Sequence, residues 1–259
     1  MLPGGQRSTW PAVSIEMARL RRDRTSVPWA LSLTAEKIRA VHSAPGEDDR
    51  SSTPLLTDEE IEASMQTSLR ELARDQDLWL FGYGSLMWKP EMEFAEQRIA
   101  RLSGWHRRFC LWQWRYRGTT AKPALMLALD AGGSCRGVAY RISPPDIAAK
   151  VRAVWRREMI GKGYEPRGVT LQTAQGPVTA GTFVANRRGQ RYAGRLSEVD
   201  VANYIASACG HIGPSADYLL ETVRHCEAIG VYDPMLRRLE RLVAERLDAL
   251  LAAGDGRIS

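Results

Sequence analysis

One carboxylate and one glycine loop are the places where this sequence could do chemistry. Glu158 follows Val154 by four residues in a stretch where Ile147, Val151, Val154, Trp155 and Met159 recur at helical spacing, so an acid stands where an apolar side chain would extend the buried face. Burying a carboxylate is costly unless a partner or a reaction uses it. Arg156, Arg157 and Lys162 lie close enough along the chain to pair it, and the pattern alone leaves a salt bridge and a proton-transfer role equally open. The loop is Gly82-Tyr83-Gly84-Ser85-Leu86-Met87, entered straight from the apolar run Leu78-Trp79-Leu80-Phe81. Without a Cβ, Gly82 and Gly84 permit positive φ and let a ligand approach main-chain N–H groups, which suit an anion. No Gly-Lys-Ser/Thr follows, and Met87 occupies the place of the third glycine of a dinucleotide fingerprint, so phosphate binding is disfavoured. A tight turn between two strands is the plainer alternative.

Context argues against the other reactive side chains. His42, His106, His211 and His225 form neither His-Glu-x-x-His nor a Cys/His cluster at ligand spacing, which weighs against a metal site. Ser85 lacks both the glycine at Met87 and the following helix that a nucleophile elbow needs, since Lys89-Pro90 disfavours a helix there. Cys110, Cys135, Cys209 and Cys226 have apolar or small neighbours and no pairing motif, and read as buried, inert, reduced thiols.

Holding the loop and Glu158 in one place requires a mixed fold. Leu78 to Phe81 reads as a buried strand, and Ile99 to Leu102 and Arg107 to Gln113 as strand segments separated by Ser103-Gly104. Ala124 to Leu129 and Cys135 to Ile142 read as a hairpin around Asp130-Ala131-Gly132-Gly133, and Gly168 to Thr173 with Val178 to Val184 as a second around Gln175-Gly176-Pro177. Ser143-Pro144-Pro145-Asp146 should cap the helix that carries Glu158. A bracing helix starts at Thr57-Asp58-Glu59-Glu60, with Ile61, Met65, Leu69 and Leu72 on one stripe. Three more helices begin at Ser197, Pro214 and Asp233-Pro234, the last presenting Leu236, Leu239, Val243 and Leu247. The expected class is α+β, with a domain over residues 57–259: a mixed β-barrel at about 78–190 and a helical part at about 197–253. Residues 1–56 carry scattered Pro, Gly, Ser and Arg without a sustained apolar period and read as a poorly structured extension.

With 259 residues, 44% of them hydrophobic, the chain has enough apolar surface for a real core. Its formal net charge of +6 suits an acidic partner without demanding one. Arg21-Arg22 precedes an apolar stretch, Val27 to Leu33, that is short and broken by Pro28 and Ser32, so no signal or membrane segment is expected and a cytoplasmic location is. Between Arg98 and Arg117, Arg101, Arg107, Arg108 and Arg115 interleave with Trp105, Phe109, Trp112, Trp114 and Tyr116, with no acid among them. A nucleic-acid groove offers this pattern. So does a strand with one aromatic and one cationic face, and no nucleic-acid motif accompanies the stretch.

Several of these motifs, in their order, resemble the ChaC family of γ-glutamylcyclotransferases. They are Gly82-Tyr83-Gly84-Ser85-Leu86 after an apolar strand, Gly104-Trp105-His106-Arg107, Gly137-Val138-Ala139-Tyr140-Arg141, Arg157-Glu158-Met159 before Gly163-Tyr164, and the run Gly210 to Leu219. The resemblance spans about residues 57–250 and implies a small mixed β-barrel. It also implies cleavage of glutathione to 5-oxoproline and L-cysteinylglycine, with a small-molecule substrate as partner, neither metal nor organic cofactor, and no nucleic acid or membrane. In that reaction the substrate's α-amino group attacks its own γ-carbonyl, so the enzyme needs no nucleophile. Glu158 would be the general acid/base, and Gly82, Tyr83, Gly84, Ser85, Leu86, Met87 and Tyr164 would hold the substrate. One departure stands out: around Lys122-Pro123-Ala124-Leu125, family members often carry Pro-Gly-Arg, and Leu125 replaces that arginine. Another γ-glutamyl amine or peptide is therefore the alternative substrate, and a polyanion-binding module the remaining alternative. Oligomeric state stays open.

Overall fold

In the computed structural model, which describes residues 30–46, 55–73 and 77–254, the apolar run before the glycine loop is strand β1 (Leu78–Gly82), with Leu78, Leu80 and Phe81 fully buried. Four more strands belong to the same sheet: β2 (Glu96–Gln113), β3 (Ala124–Ile142), β4 (Tyr164–Thr173) and β5 (Gly176–Ala185). They pair in the order β1-β3-β2-β4-β5, and β5 returns to β1 in parallel at Leu80 opposite Gly181, which closes a barrel. Closure leaves no free edge and points alternate side chains into one core.

The hairpin expected at Asp130-Ala131-Gly132-Gly133 does not form. Strands β2 and β3 both run past it, with Ser103 opposite Ser134 and Trp105 opposite Ala131, and the chain reverses earlier, between Gln113 and Ala124. Gly104, Gly132 and Gly133 have φ of +82°, +105° and +68°. A glycine pair signals positive φ, and facing bulges that bend a long ladder use it as well as a turn does. Ser103-Gly104, which the sequence suggested as a strand break, is the other half of the same irregularity. The second hairpin forms as expected, with Gly176 at φ +104°.

Helix α1 (Ala35–Val41) falls inside the stretch read as poorly structured. Its Ile38 and Val41, with Leu33 before it, are buried; Leu33 N–H donates to the Glu240 carboxylate (2.5 Å), and His42 Nε2 meets the Ala206 carbonyl (2.8 Å). Seven residues carry too few apolar positions to show a period, so tertiary contact decides the helix. Residues 1–29 and 47–54 lie outside the described residues.

Helix α2 (Asp58–Leu72) opens with the expected reciprocal cap between Thr57 and Glu60, and lays Ile61 and Met65 on the core. Helix α3 (Ile147–Met159) carries Glu158. It starts beyond the expected cap, because Asp146 takes φ +62° and its side chain caps nothing. Val151, Val154, Trp155 and Met159 are buried, with Trp155 edge-on to Phe183 of β5 at 4.9 Å. This packing fixes the helix; the exposed pairs Arg152–Glu62 and Arg156–Asp58, both 3.0 Å, add little. Helices α4 (Glu198–Ser207), α5 (Ser215–Ala228) and α6 (Pro234–Ala252) make the helical part, with Ser197 and Asp233 as caps and Leu236, Leu239, Val243 and Leu247 buried. Among the described residues no helix is long and apolar enough to cross a membrane.

Candidate active site

Glu158 sits in the last turn of α3 at the margin of the buried face, with its side chain 14% exposed. It lines a cavity of about 700 Å³ whose wall also takes residues from the turn after β1, from the connection between β2 and β3, and from α5. Of the two readings that the sequence left open, the salt bridge forms, and Glu158 also faces the cavity. Arg157 Nε donates to Glu158 Oε1 (3.1 Å) on the cavity wall, while Arg157 Nη1 reaches Glu91 Oε2 (2.7 Å) and the Lys89 carbonyl (2.9 Å). Burial pushes the Glu158 carboxyl above the ordinary carboxylate range, and Arg157 pulls it part of the way back. The negative end of α3 acts in the same direction as burial. Because it is buried, and because Glu91 shares its guanidinium, Glu158 keeps a greater proton affinity than a surface glutamate.

The glycine loop is built differently from expectation. Neither Gly82 nor Gly84 takes positive φ, and a short 3-10 turn, Ser85–Met87, follows them. The missing Cβ atoms serve close packing instead. A Cβ on Gly82 would lie 2.9 Å from Leu86 Cβ, and one on Gly84 would lie 3.0 Å from the Tyr218 hydroxyl. Ser85 lines the cavity; Gly82, Tyr83, Gly84, Leu86 and Met87 do not. Tyr83 is buried with its hydroxyl donating to the Phe183 carbonyl (2.8 Å), and the carbonyls of Leu86 and Met87 both accept from the Tyr140 hydroxyl (3.0 and 3.2 Å). Apolar side chains from a core strand turn back into the core, so these residues shape the loop from behind.

Two phenols complete the wall. Tyr164 lines the cavity as expected and is also a core residue, its hydroxyl donating to the Leu127 carbonyl (2.8 Å). Tyr218, on α5, was missed; the Ser85 N–H meets its oxygen, and its ring packs near Trp88 (6.0 Å) and Phe109 (6.2 Å). Burial keeps both phenols protonated at neutral pH. The signal for Tyr218 was present in the run Gly210 to Leu219, where helical periodicity concealed it. Arg191 also escaped notice; it is held by the carbonyls of Trp112 (2.7 Å) and Gly161 (3.2 Å), in space that Gly161 and Gly163 leave open.

The arginine and aromatic stretch disperses. Arg107 is buried, Arg108 pairs with Asp130 (3.1 Å), Arg98 pairs with Glu96 (2.5 Å) and covers Trp79, and Trp112 packs edge-on against Tyr204. Arg115 and Arg117 reach the cavity, so the stretch contributes to one pocket rather than to a continuous groove. Leu125 is fully buried and does not line the cavity. Burial also pushes the Cys110 and Cys135 thiols up to about 12, which leaves them protonated and unreactive.

The sequence profile of the family described as "ChaC-like protein" matches residues 78–246, from β1 into α6. The chain belongs to this family. The chain is 36% identical over 206 residues to the "Glutathione-specific gamma-glutamylcyclotransferase" of Escherichia coli (strain K12), covering 77% of this chain and 89% of that protein. It is 31% identical over 160 residues to "Glutathione-specific gamma-glutamylcyclotransferase 1" of Rattus norvegicus, covering 60% of this chain and 72% of that one. The crystal structure of a γ-glutamyl cyclotransferase specific to glutathione from yeast shares the fold at TM-score 0.60 and 20% identity, covering 66% of this chain and 96% of the yeast chain. Ser85, Glu158, Tyr164 and Tyr218 all fall inside the ChaC-like match, whereas α1 and α2 precede it.

Proposed function

We propose that this ChaC-like protein is a γ-glutamylcyclotransferase that cleaves glutathione to 5-oxoproline and L-cysteinylglycine. The observation that supports this most strongly is Glu158, an acid of raised proton affinity on the wall of a cavity whose charged side chains are mostly Arg and Lys. Glutathione itself comes from the names of the relatives. An α-ammonium with pKa of roughly 8 is mostly protonated at neutral pH, so it cannot attack until a base removes its proton. Glu158 takes that proton, the freed amine adds to the γ-carbonyl carbon, and a five-membered ring closes. Glu158 then returns that proton to the cysteinyl nitrogen as the C–N bond breaks. The second proton, which the ring nitrogen sheds on becoming the lactam N–H, ends on the departing amine, which leaves as an ammonium, so the two products account for every atom of the substrate. The Tyr218 hydroxyl accepts from Ser85 N–H and retains its own proton to offer the oxyanion that develops. Curling the flexible glutamyl chain into attack geometry is worth several kcal/mol, since oriented ring closures reach effective molarities of about 10⁵ M or more. Ser85 and Tyr164, with the rest of the Gly82–Met87 loop supporting Ser85 from behind, would shape that conformation. The partner is thus a small molecule, and four free thiols suit a reducing cytoplasm.

Purified protein incubated with glutathione should release 5-oxoproline and cysteinylglycine in equal amounts; glutathione left intact would refute the assignment. Gly84→Ala should displace the Tyr218 hydroxyl by a few tenths of an ångström and lower kcat about tenfold, with a much smaller change in melting temperature. Wild-type kinetics in that variant would mean that the position of Tyr218 is not critical.

A further inference from the structure

The arginines of the cavity differ in how their charge is balanced. Arg157 is bracketed by Glu158 and Glu91, and Arg156 pairs with Asp58. Arg117 has no such partner: its Nη1 donates to the Pro214 carbonyl (2.7 Å), and it forms no ion pair with a described residue. Burial makes its guanidinium less basic, while Asp217 and Tyr218 near it offset this only in part. A half-buried cation held by a neutral carbonyl is an unfavourable arrangement unless an anion completes it. Its backbone is also fixed, because Arg117 N–H donates to the Gln113 side chain (3.3 Å) and a Cβ on Gly210 would collide with the Tyr116 carbonyl. Arg117, Glu158 and Tyr218 line the same cavity of about 700 Å³, so an anion held by Arg117 shares that cavity with the reacting carbonyl.

We infer that Arg117 is a specificity-determining residue that binds the carboxylate of the leaving amine, so that the enzyme prefers γ-glutamyl peptides with a free C-terminus over γ-glutamyl amines. This rests on the reaction proposed above. Glu158 and Arg157 form a pair, and Arg191 spends its Nε and Nη1 on the Trp112 and Gly161 carbonyls, whereas Arg117 gives only Nη1 to a carbonyl and keeps donors for a second carboxylate of the substrate. A charge-assisted guanidinium–carboxylate bond of this kind is worth about ten- to a hundredfold in kcat/KM.

The test compares glutathione with its glycyl ethyl ester, which keeps every atom of the reacting γ-glutamyl group and removes only the distal charge. Wild type should turn over the ester about ten- to a hundredfold less efficiently. Arg117→Gln should lose that same factor on glutathione while leaving the ester nearly unaffected, so that the two compounds converge; Arg117→Lys should restore part of the preference. Equal use of both compounds by wild type would overturn the assignment without touching the reaction. An Arg117→Gln variant that loses both activities in equal proportion would also overturn it. Release of 5-oxoproline from neither compound would remove the reaction itself, and this inference with it.

Discussion

Glu158→Gln is expected to lower kcat/KM for glutathione by about 10²–10⁴, the usual contribution of a positioned acid–base group, without lowering the melting temperature. The variant keeps the shape of the side chain and removes its ability to take the ammonium proton. Arg157 remains anchored by Glu91 (2.7 Å) and the Lys89 carbonyl (2.9 Å), so the wall of the cavity should hold. Stability should move the other way. Burial raises the folded-state pKa of Glu158 above its value in the unfolded chain. Such a group contributes stability that is complete below the unfolded pKa and is lost as pH rises through the folded one. Above that folded pKa the ionised carboxylate is a net cost that glutamine lacks, so the variant should melt at or above wild type, and the gap should close on acidification. The same titration sets the acidic limb of the wild-type rate profile: activity falls as pH drops through the raised pKa, because a protonated Glu158 cannot act as base. Initial rates of 5-oxoproline release and thermal unfolding across pH check both halves. Equal activity in the two proteins would take Glu158 out of the mechanism.

The sequence located Glu158 and the glycine loop because both break a local rule. An acid continues an apolar stripe, and a core strand ends in closely spaced glycines. What it misassigned were features where one local signal serves two structures. Gly132-Gly133 announces positive φ, and only the pairing of Trp105 with Ala131 reveals a bulge rather than a turn. Gly82 and Gly84 announce a tight backbone, yet the cause is a neighbouring side chain in each case, Leu86 and Tyr218, and the second comes from a helix more than a hundred residues away. Tyr218 and Arg191 reach the cavity through tertiary packing, which no periodicity encodes. Helix α1 likewise owes its existence to contacts with α4 and α6, such as His42 on the Ala206 carbonyl.

Arg107→Leu should destabilise the protein by about 3–5 kcal/mol, the largest stability effect expected from a single side chain here. Read from the sequence, Arg107 was one cation among many on a basic strand. In the structure it is 3% exposed, and each arm of its guanidinium ties a different part of the molecule. Nε donates to the carbonyl of Tyr83 in the glycine loop (2.6 Å), Nη2 to the carbonyl of Arg136 on β3 (2.5 Å), and Nη1 to Asp233 (3.1 Å). Asp233 in turn caps α6 through the N–H groups of Met235 (3.1 Å) and Leu236 (3.3 Å). A leucine would fill much of the space but leave two buried carbonyls and a carboxylate without their donor, and each such group costs roughly 1–3 kcal/mol. For a domain of this size, 1 kcal/mol shifts the melting temperature by about 2–4 °C, so a fall of about 10 °C is expected. Arg107→Lys should recover only part of it, because an ammonium cannot reach three divergent acceptors at once. The glycine loop would lose its tether at Tyr83, so turnover should fall even at temperatures where the variant stays folded. Unchanged melting in Arg107→Leu would mean that the helical part is held to the barrel by apolar packing alone.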